Sequence, residues 1–182
     1  SKDWAAEKPL FEAEERAYAM RAAALFEAEG AYFREQSTKP LTLSYALTDS
    51  PVGVAAWIVE KFHGWSDLKD GRIESVYSMD QMLTNVMIYL VSGTFATSTW
   101  LYRGLFEDAS GAPVPEKARI EKPVGIANFP VDLIPFPPRS MVERQMNVVR
   151  WTDMGEGGHF AALEKPEKLV ADIAAFARGI GF

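Results

Sequence analysis

Two short strand-like runs limit most strongly how this chain of 182 residues can fold. Residues 123–129 and 147–151 are rich in Val, Ile and aromatic side chains, and residues 138–146 between them can form a helix. A further helix over residues 166–178 ends at Gly179. This order predicts parallel strands joined by right-handed crossovers. Because two parallel strands do not make a stable sheet, we expect them to form the edge of a larger sheet completed by other polypeptide.

Helical patterns dominate the rest of the chain. An apolar stripe predicts a helix over residues 9–29. The stripe consists of Phe11, Tyr18 and Leu25, with Ala17, Met20 and Ala24 alongside, and the stretch over residues 12–16 lies on the solvated face. Residues 109–118 form a connector rich in Pro and Gly. We therefore divide the chain into a helical region, residues 1–118, and a strand-containing region, residues 119–182.

Two capping signals place the next helices. Ser50 followed by Pro51 is a favourable N-cap and first position for a helix that runs to Phe62. Ser78 with Gln81 three residues later is the pattern of a capping box, and it opens a helix that runs toward Val91.

An uncharged stretch from Gln81 to Tyr102 is long enough to span a bilayer. Polar residues occur throughout it, and Gly93 lies in its middle. We therefore expect two buried helices that break near Gly93, the second over residues 94–106, and a soluble, cytoplasmic protein by default.

Charge and composition exclude several classes of partner. The net charge of -6 disfavours nucleic acid. The absence of cysteine excludes disulfides and thiolate metal sites. The two histidines, His63 and His159, are too few and too far apart to suggest a zinc site. His63 is interpreted as a residue at a helix end.

One of these histidines has a distinctive setting. His159 follows Gly157 and Gly158, after a strand-like run and before the helix that Pro166 opens. Loops at the carboxyl ends of parallel strands are where open α/β sheets bind ligands. The setting favours a general base, with an inert hydrogen-bonded turn histidine as the alternative.

Four segments in order carry a family resemblance: residues 38–40, 49–62, 83–87 and 157–166. Together they resemble the microsomal-type epoxide hydrolases, a branch of the α/β-hydrolase superfamily. The resemblance implies an α/β fold of the α/β-hydrolase type, of which this chain supplies the mainly helical cap and the two-strand edge of the parallel sheet.

The resemblance also implies a base and its orienting acid. His159 matches the general base of the family. Asp132, in the segment Phe-Pro-Val-Asp that ends 27 positions earlier, matches the acid that orients it. Glu156 and Asp153 are the competing candidates for that acid, and a solvated loop carboxylate is the alternative interpretation of Asp132.

Two tyrosines match the family residues that hydrogen-bond the epoxide oxygen. Tyr32 follows a Glu-Gly turn, and Tyr102 lies nine residues after Gly93. A phenol is a neutral donor at pH 7 and can stabilise a developing alkoxide. Simple packing of the two aromatic rings is the alternative.

The nucleophile of the family has no match in this sequence. No aspartate or serine sits in a small-x-Asp-x-small type of elbow after a strand-like run, and no His-Gly-x-Pro loop occurs. In the family both elements precede the cap. We therefore expect the nucleophile in an N-terminal half outside these residues, on the same polypeptide or on a separate chain.

The resemblance thus implies an epoxide hydrolase that opens a small lipophilic epoxide to a vicinal diol through an aspartyl ester, without a metal or organic cofactor. The alternatives are another α/β-hydrolase, such as an esterase with a serine elbow upstream, and a non-catalytic helical binding module. A homo-oligomer is left open.

Overall fold

The computed structural model describes residues 13–108 and 119–182. Helices account for the first of these ranges, which we call the helical segment. Its helices are α1 (Ala13–Glu29), α2 (Ala31–Thr38), α3 (Pro40–Leu47), α4 (Pro51–Trp65), α5 (Met79–Ser92) and α6 (Phe95–Asp108), with one turn of 3-10 helix at Ile73–Ser75. The connector predicted at residues 109–118 lies outside the described residues.

Residues 119–182, which we call the strand segment, contain a parallel pair of strands. The elements are β1 (Ile120–Asn128), α7 (Arg139–Gln145), β2 (Met146–Asp153), α8 (Ala161–Glu164) and α9 (Pro166–Gly179). Asn128 pairs with Asp153 at the ends of the two strands. The prediction of two parallel strands joined through a helix is confirmed, although both strands are longer than predicted.

Helix α9 packs directly onto β1. A Cβ atom at Gly125 would lie 2.7 Å from the ring of Phe176, so only glycine permits this approach. Arg150 on β2 donates to the buried carboxylate of Asp172 on α9 at 2.9 Å. These contacts hold the helix across the sheet and leave the carboxyl ends of both strands free for loops.

The capping signals read from the sequence are confirmed. The Ser50 hydroxyl accepts from the N–H of Gly53 at 3.2 Å, and Ser78 and Gln81 form both bonds of a capping box. Gly93 has φ +66° and ends α5, because this left-handed conformation suits glycine. No helix in the described ranges is long and apolar enough to cross a membrane.

The core of the helical segment joins its central helices. Leu43, Val54, Val86 and Phe95 are buried together, and they come from α3, α4, α5 and α6 respectively. A second buried cluster contains Phe62, Tyr77 and Met82. Through Phe62 this second cluster reaches Phe160 of the strand segment, since the two rings stack with centroids 4.2 Å apart.

Helix α1 differs from its prediction. Glu15, expected on a solvated face, is only 1% exposed, because Arg144 and Ser140 of the strand segment donate to its carboxylate at 2.7 Å each. Met20, counted in the apolar stripe, is 76% exposed. The helix thus reaches the strand segment through the charged pair of Glu15 and Arg144, while its apolar Phe26 packs edge to face on Phe33 of α2, with ring centroids 5.4 Å apart.

Candidate active site

The ends of β1 and β2 bring two loops together. The strands are parallel, so the chain leaves both at the same edge of the sheet. The N–H of Met154 donates to the carbonyl of Asn128 at 2.8 Å and continues the pairing one residue past β2. The loop after β1 carries Asp132, and the loop after β2 carries His159.

Asp132 and His159 form a hydrogen-bonded pair. Their Oδ1 and Nδ1 atoms are 2.7 Å apart, and the N–H of Leu133 donates to the same carboxylate oxygen at 2.6 Å. In the neutral tautomer that donates from Nδ1, the Nε2 atom is free to accept a proton. The bond to Asp132 raises the pKa of His159, and burial opposes this rise. The arrangement is that of a general base with its orienting acid.

The competing carboxylates are engaged elsewhere. Glu156 bonds to the ammonium groups of Lys165 and Lys168, which hold its pKa down at about 2. Asp153 accepts from the side chains of Asn128 and Trp151 at 2.9 and 3.0 Å. Asp132 is therefore the carboxylate that contacts the imidazole. His63, by contrast, lies exposed in the last turn of α4 and bonds to the carbonyl of Gly71, as expected for a helix-end residue.

The end of α4 holds the His159 loop. The N–H of His159 donates to the carbonyl of Trp65 at 2.9 Å. A Cβ atom at Gly158 would lie 2.6 Å from that same carbonyl oxygen. The His159 loop and the end of α4 therefore cross at a distance that only glycine allows. Gly157 has φ +107°, a second backbone requirement for glycine.

Two carboxylates that had no role assigned from the sequence complete this junction. Glu164 accepts from the N–H groups of Phe160 at 3.0 Å and of Asp67 at 2.9 Å. Asp67 in turn accepts from the N–H of Gly157 at 2.8 Å. We call Asp67 and Glu164 the junction carboxylates. An acid four residues after the start of a short helix is a local signal for capping, but its bond to residue 67 has no local signal.

Tyr32 and Tyr102 lie next to each other on α2 and α6. Their ring centroids are 5.8 Å apart, and the rings meet edge to face. Trp65 lies between Tyr32 and His159, with centroids 5.1 Å from each. The structure therefore brings both tyrosines to the side of the helical segment that faces the imidazole.

Burial raises the pKa of both phenols above their ordinary value of 10.0. It raises the pKa of Tyr32 to about 12, with smaller contributions from Tyr102 and Asp132. Burial also raises the pKa of Tyr102, and a hydrogen bond with Gln36 opposes the rise. Both side chains are neutral hydrogen-bond donors at pH 7.

These groups share one cavity of about 350 Å³. His159, Tyr32 and Tyr102 line it, whereas Asp132 is not among its lining residues. Most of the other lining residues are aromatic or aliphatic, namely Trp57, Ile58, Phe62, Trp65, Tyr89, Phe95, Phe160 and Leu163. The volume and lining suit a small lipophilic molecule. In residues 13–108 and 119–182, no group of three or more His, Asp or Glu side chains is arranged to hold a metal ion.

A half-buried cation on the cavity wall, Lys61, was not found from the sequence. The Lys61 side chain is 14% exposed, and its Nζ lies 4.9 Å from the centroid of the Tyr32 ring. It is also 5.8 Å from the Trp57 ring and 5.6 Å from the Trp65 ring. Its carboxylate partner is the neighbouring Glu60, at 2.7 Å.

The chain is similar in sequence and in architecture to proteins named epoxide hydrolase. Epoxide hydrolase 1 of Sus scrofa is 39% identical over 153 residues, which are 81% of this chain and 34% of that protein. A putative epoxide hydrolase of Stigmatella aurantiaca is 41% identical over 136 residues, 74% of this chain and 29% of that protein. The structure of Aspergillus niger epoxide hydrolase matches with a TM-score of 0.76 and 32% identity over 95% of this chain and 42% of that one.

The chain is a homologue of the epoxide hydrolases. Both the resemblance stated from the sequence and the α/β-hydrolase fold, in the form of helices plus a two-strand parallel edge, are confirmed. No protein-family model matches the chain. This epoxide hydrolase homologue spans about a third of the length of the curated relatives it matches. Its division into a cap and a catalytic segment at residue 118 stays a prediction.

Proposed function

We propose that this chain supplies the base and the epoxide-activating donors of an epoxide hydrolase whose nucleophilic aspartate lies on polypeptide outside these 182 residues. The observation that carries the proposal is the meeting of His159, paired with Asp132 at 2.7 Å, and of Tyr32 and Tyr102 at one cavity. Acyl transfer on this fold relies on backbone oxyanion donors. The paired phenols therefore favour epoxide opening over ester hydrolysis as the function.

Ring opening is the first step. The carboxylate of the nucleophile attacks one ring carbon, the bond from that carbon to the ring oxygen breaks, and an ester forms. Tyr32 and Tyr102 donate hydrogen bonds to the ring oxygen, and one phenol passes its proton to that oxygen as the charge develops. Tyr32 is protonated at pH 7, so its proton is available for this transfer.

Ester hydrolysis is the second step. Nε2 of His159 takes a proton from water, and the resulting hydroxide attacks the ester carbonyl. The diol leaves, the nucleophilic carboxylate is restored, and the proton on His159 returns to the phenolate through water. Asp132 holds the ring in the required tautomer and stabilises the imidazolium.

The substrate class follows from the lining of the cavity. Aromatic and aliphatic side chains make up most of it, so a lipophilic epoxide gains free energy by leaving water. No metal ion or organic cofactor is required for either step. A cytoplasmic location stays a prediction.

The proposal is tested in the enzyme that contains this chain together with the nucleophile. With His159→Gln, ring opening proceeds and ester hydrolysis stops. We therefore expect the ester between the nucleophilic aspartate and the opened epoxide to accumulate, at one equivalent per protein molecule. Mass spectrometry after peptide digestion detects that adduct and locates the esterified aspartate.

His63→Gln is the matched control, because His63 is the other histidine of the chain and lies outside the cavity. It should turn over as the parent enzyme does. Turnover of His159→Gln at the parent rate shows that His159 is not the base.

A further inference from the structure

The ammonium group of Lys61 is held inside the cavity wall by three aromatic faces. Cations bind to ring faces because the π-electron density there is negative, and the attraction grows when water is excluded. Its nearest ring is that of Tyr32, at 4.9 Å, which is one of the two phenols proposed to donate to the epoxide oxygen.

The two partners of the Lys61 ion pair differ in their exposure to water. Glu60, its partner at 2.7 Å, has a side chain that is 63% exposed, whereas the Lys61 side chain is 14% exposed. Water screens the carboxylate far more than the ammonium. The less screened member of the pair is thus the ammonium group, which lies 4.9 Å from the centroid of the Tyr32 ring.

A phenolate ring attracts a cation over its face more strongly than a neutral phenol does, because it carries a full negative charge. Tyr32 acquires phenolate character as its proton moves to the opening epoxide oxygen, and it stays a phenolate until the proton on His159 returns to it. Any interaction that is stronger at that moment than in the resting site accelerates the step.

We infer that Lys61 acts through Tyr32 as a positioning residue that stabilises the negative charge developing on this phenol during ring opening. The inference rests on the proposed function, because it requires Tyr32 to donate to the epoxide oxygen. It predicts an effect on ring opening and none on the attack on the ester, because Tyr32 is a phenolate both before and during that attack.

The test separates the two steps by single-turnover kinetics with styrene oxide, in the enzyme that contains this chain and the nucleophile. Lys61→Met removes the charge and keeps an unbranched, flexible side chain in the wall. We expect ring opening to slow about three- to thirtyfold, the range that corresponds to a cation–π contact, with an unchanged rate of ester hydrolysis.

Two further variants complete the design. Lys61→Arg keeps a cation that stacks on aromatic rings, so it should restore most of the ring-opening rate. Glu60→Gln removes the exposed carboxylate and keeps the ammonium, so ring opening should be at least as fast as in the parent. Thermal unfolding of each variant shows whether it folds, and Lys61→Gln replaces Lys61→Met if the latter does not.

Each result decides the matter. Equal slowing of both steps, or failure of Lys61→Arg to recover, shows that Lys61 has a structural role and overturns the inference. An unchanged ring-opening rate in Lys61→Met overturns it too. If the parent enzyme does not open styrene oxide or any other lipophilic epoxide, the proposed function itself fails, and this result is separate from the others.

Discussion

The main-chain N–H of His159 donates to the carbonyl oxygen of Trp65 at 2.9 Å. The residue proposed as the base is therefore hydrogen-bonded through its backbone to the last residue of α4. The orienting acid Asp132 reaches the same imidazole from the loop after β1. The geometry of the pair thus depends on the helical segment as much as on the sheet.

The crossing at Gly158 should tolerate no side chain. Gly158→Ala places a Cβ atom 2.6 Å from the Trp65 carbonyl oxygen and 2.9 Å from a Glu164 oxygen. Since the neighbours must move, we expect unfolding free energy to fall by about 1–3 kcal/mol, measured by urea titration. Gly155→Ala is the control, because a Cβ atom there meets nothing within 4 Å. Equal unfolding free energies of the two variants would contradict the close approach of Gly158 to the Trp65 carbonyl oxygen.

The junction carboxylate Glu164 should contribute to stability. Glu164→Gln replaces one of two acceptor oxygens with an amide that cannot accept from a backbone N–H, so one of its bonds, to Asp67 or to Phe160, is lost. Because both donors are partly buried, we expect a loss of about 1 kcal/mol in unfolding free energy, typical of one hydrogen bond. The exposed Glu167, in the first turn of α9, gives the control Glu167→Gln, whose stability should match the parent.

The pKa of His159 should depend on Asp132. The hydrogen bond raises the pKa of His159 above 6.5, so Asp132→Asn should lower it. The stabilisation from this pair is complete below pH 6.5 and is lost as pH rises through the raised value. Because the base must be neutral, ester hydrolysis should speed up over that same rise, and Asp132→Asn should shift the midpoint to lower pH.

Nuclear magnetic resonance of the imidazole C–H groups measures this titration. The His63 signals serve as the internal reference, since that ring bonds to the Gly71 carbonyl and should not respond to the substitution. A His159 midpoint that stays in place in Asp132→Asn argues against the 2.7 Å bond in solution.

The buried phenol of Tyr32 should make stability fall at alkaline pH. Its pKa is raised from 10.0 to about 12, so the unfolded chain loses this proton first and unfolding becomes easier over that interval. Tyr32→Phe should reduce the steepness of the fall, measured by denaturant titration at a series of pH values. Tyr45→Phe, at a position 80% exposed, is the control and should leave the steepness unchanged. A fall just as steep in Tyr32→Phe means that this phenol ionises freely.

Local features of the fold could be predicted because their signals are local. The capping box at Ser78, the N-cap at Ser50 and the break at Gly93 each depend on residues within a few positions. The strand pair followed from short apolar runs and their order. The glycine turn after the second strand indicated His159, and the family resemblance added Asp132. The structure shows the contact of these two residues, whereas their catalytic roles stay a prediction.

The remaining parts of the site depend on contacts that sequence patterns do not encode. Asp67 bonds to Gly157 across 90 positions, and Glu164 bonds to Asp67 across 97. Lys61 looks like an ordinary helical lysine until the fold places Tyr32 and Trp65 beside its ammonium group. Glu15 was expected in water for the same reason, since its partner Arg144 is 129 positions away.

The backbone hydrogen bond between His159 and Trp65 also limits how a substrate can reach the cavity. A lid-like swing of the helical segment would pull on the bond at 2.9 Å and on both junction carboxylates, and it would draw the imidazole away from Asp132. Access therefore requires either a path that leaves the end of α4 in place or a motion in which the His159 loop travels with the helices. In the second case His159 is separated from Asp132 while the cavity is open, so the pair can act as a base only after the helices return.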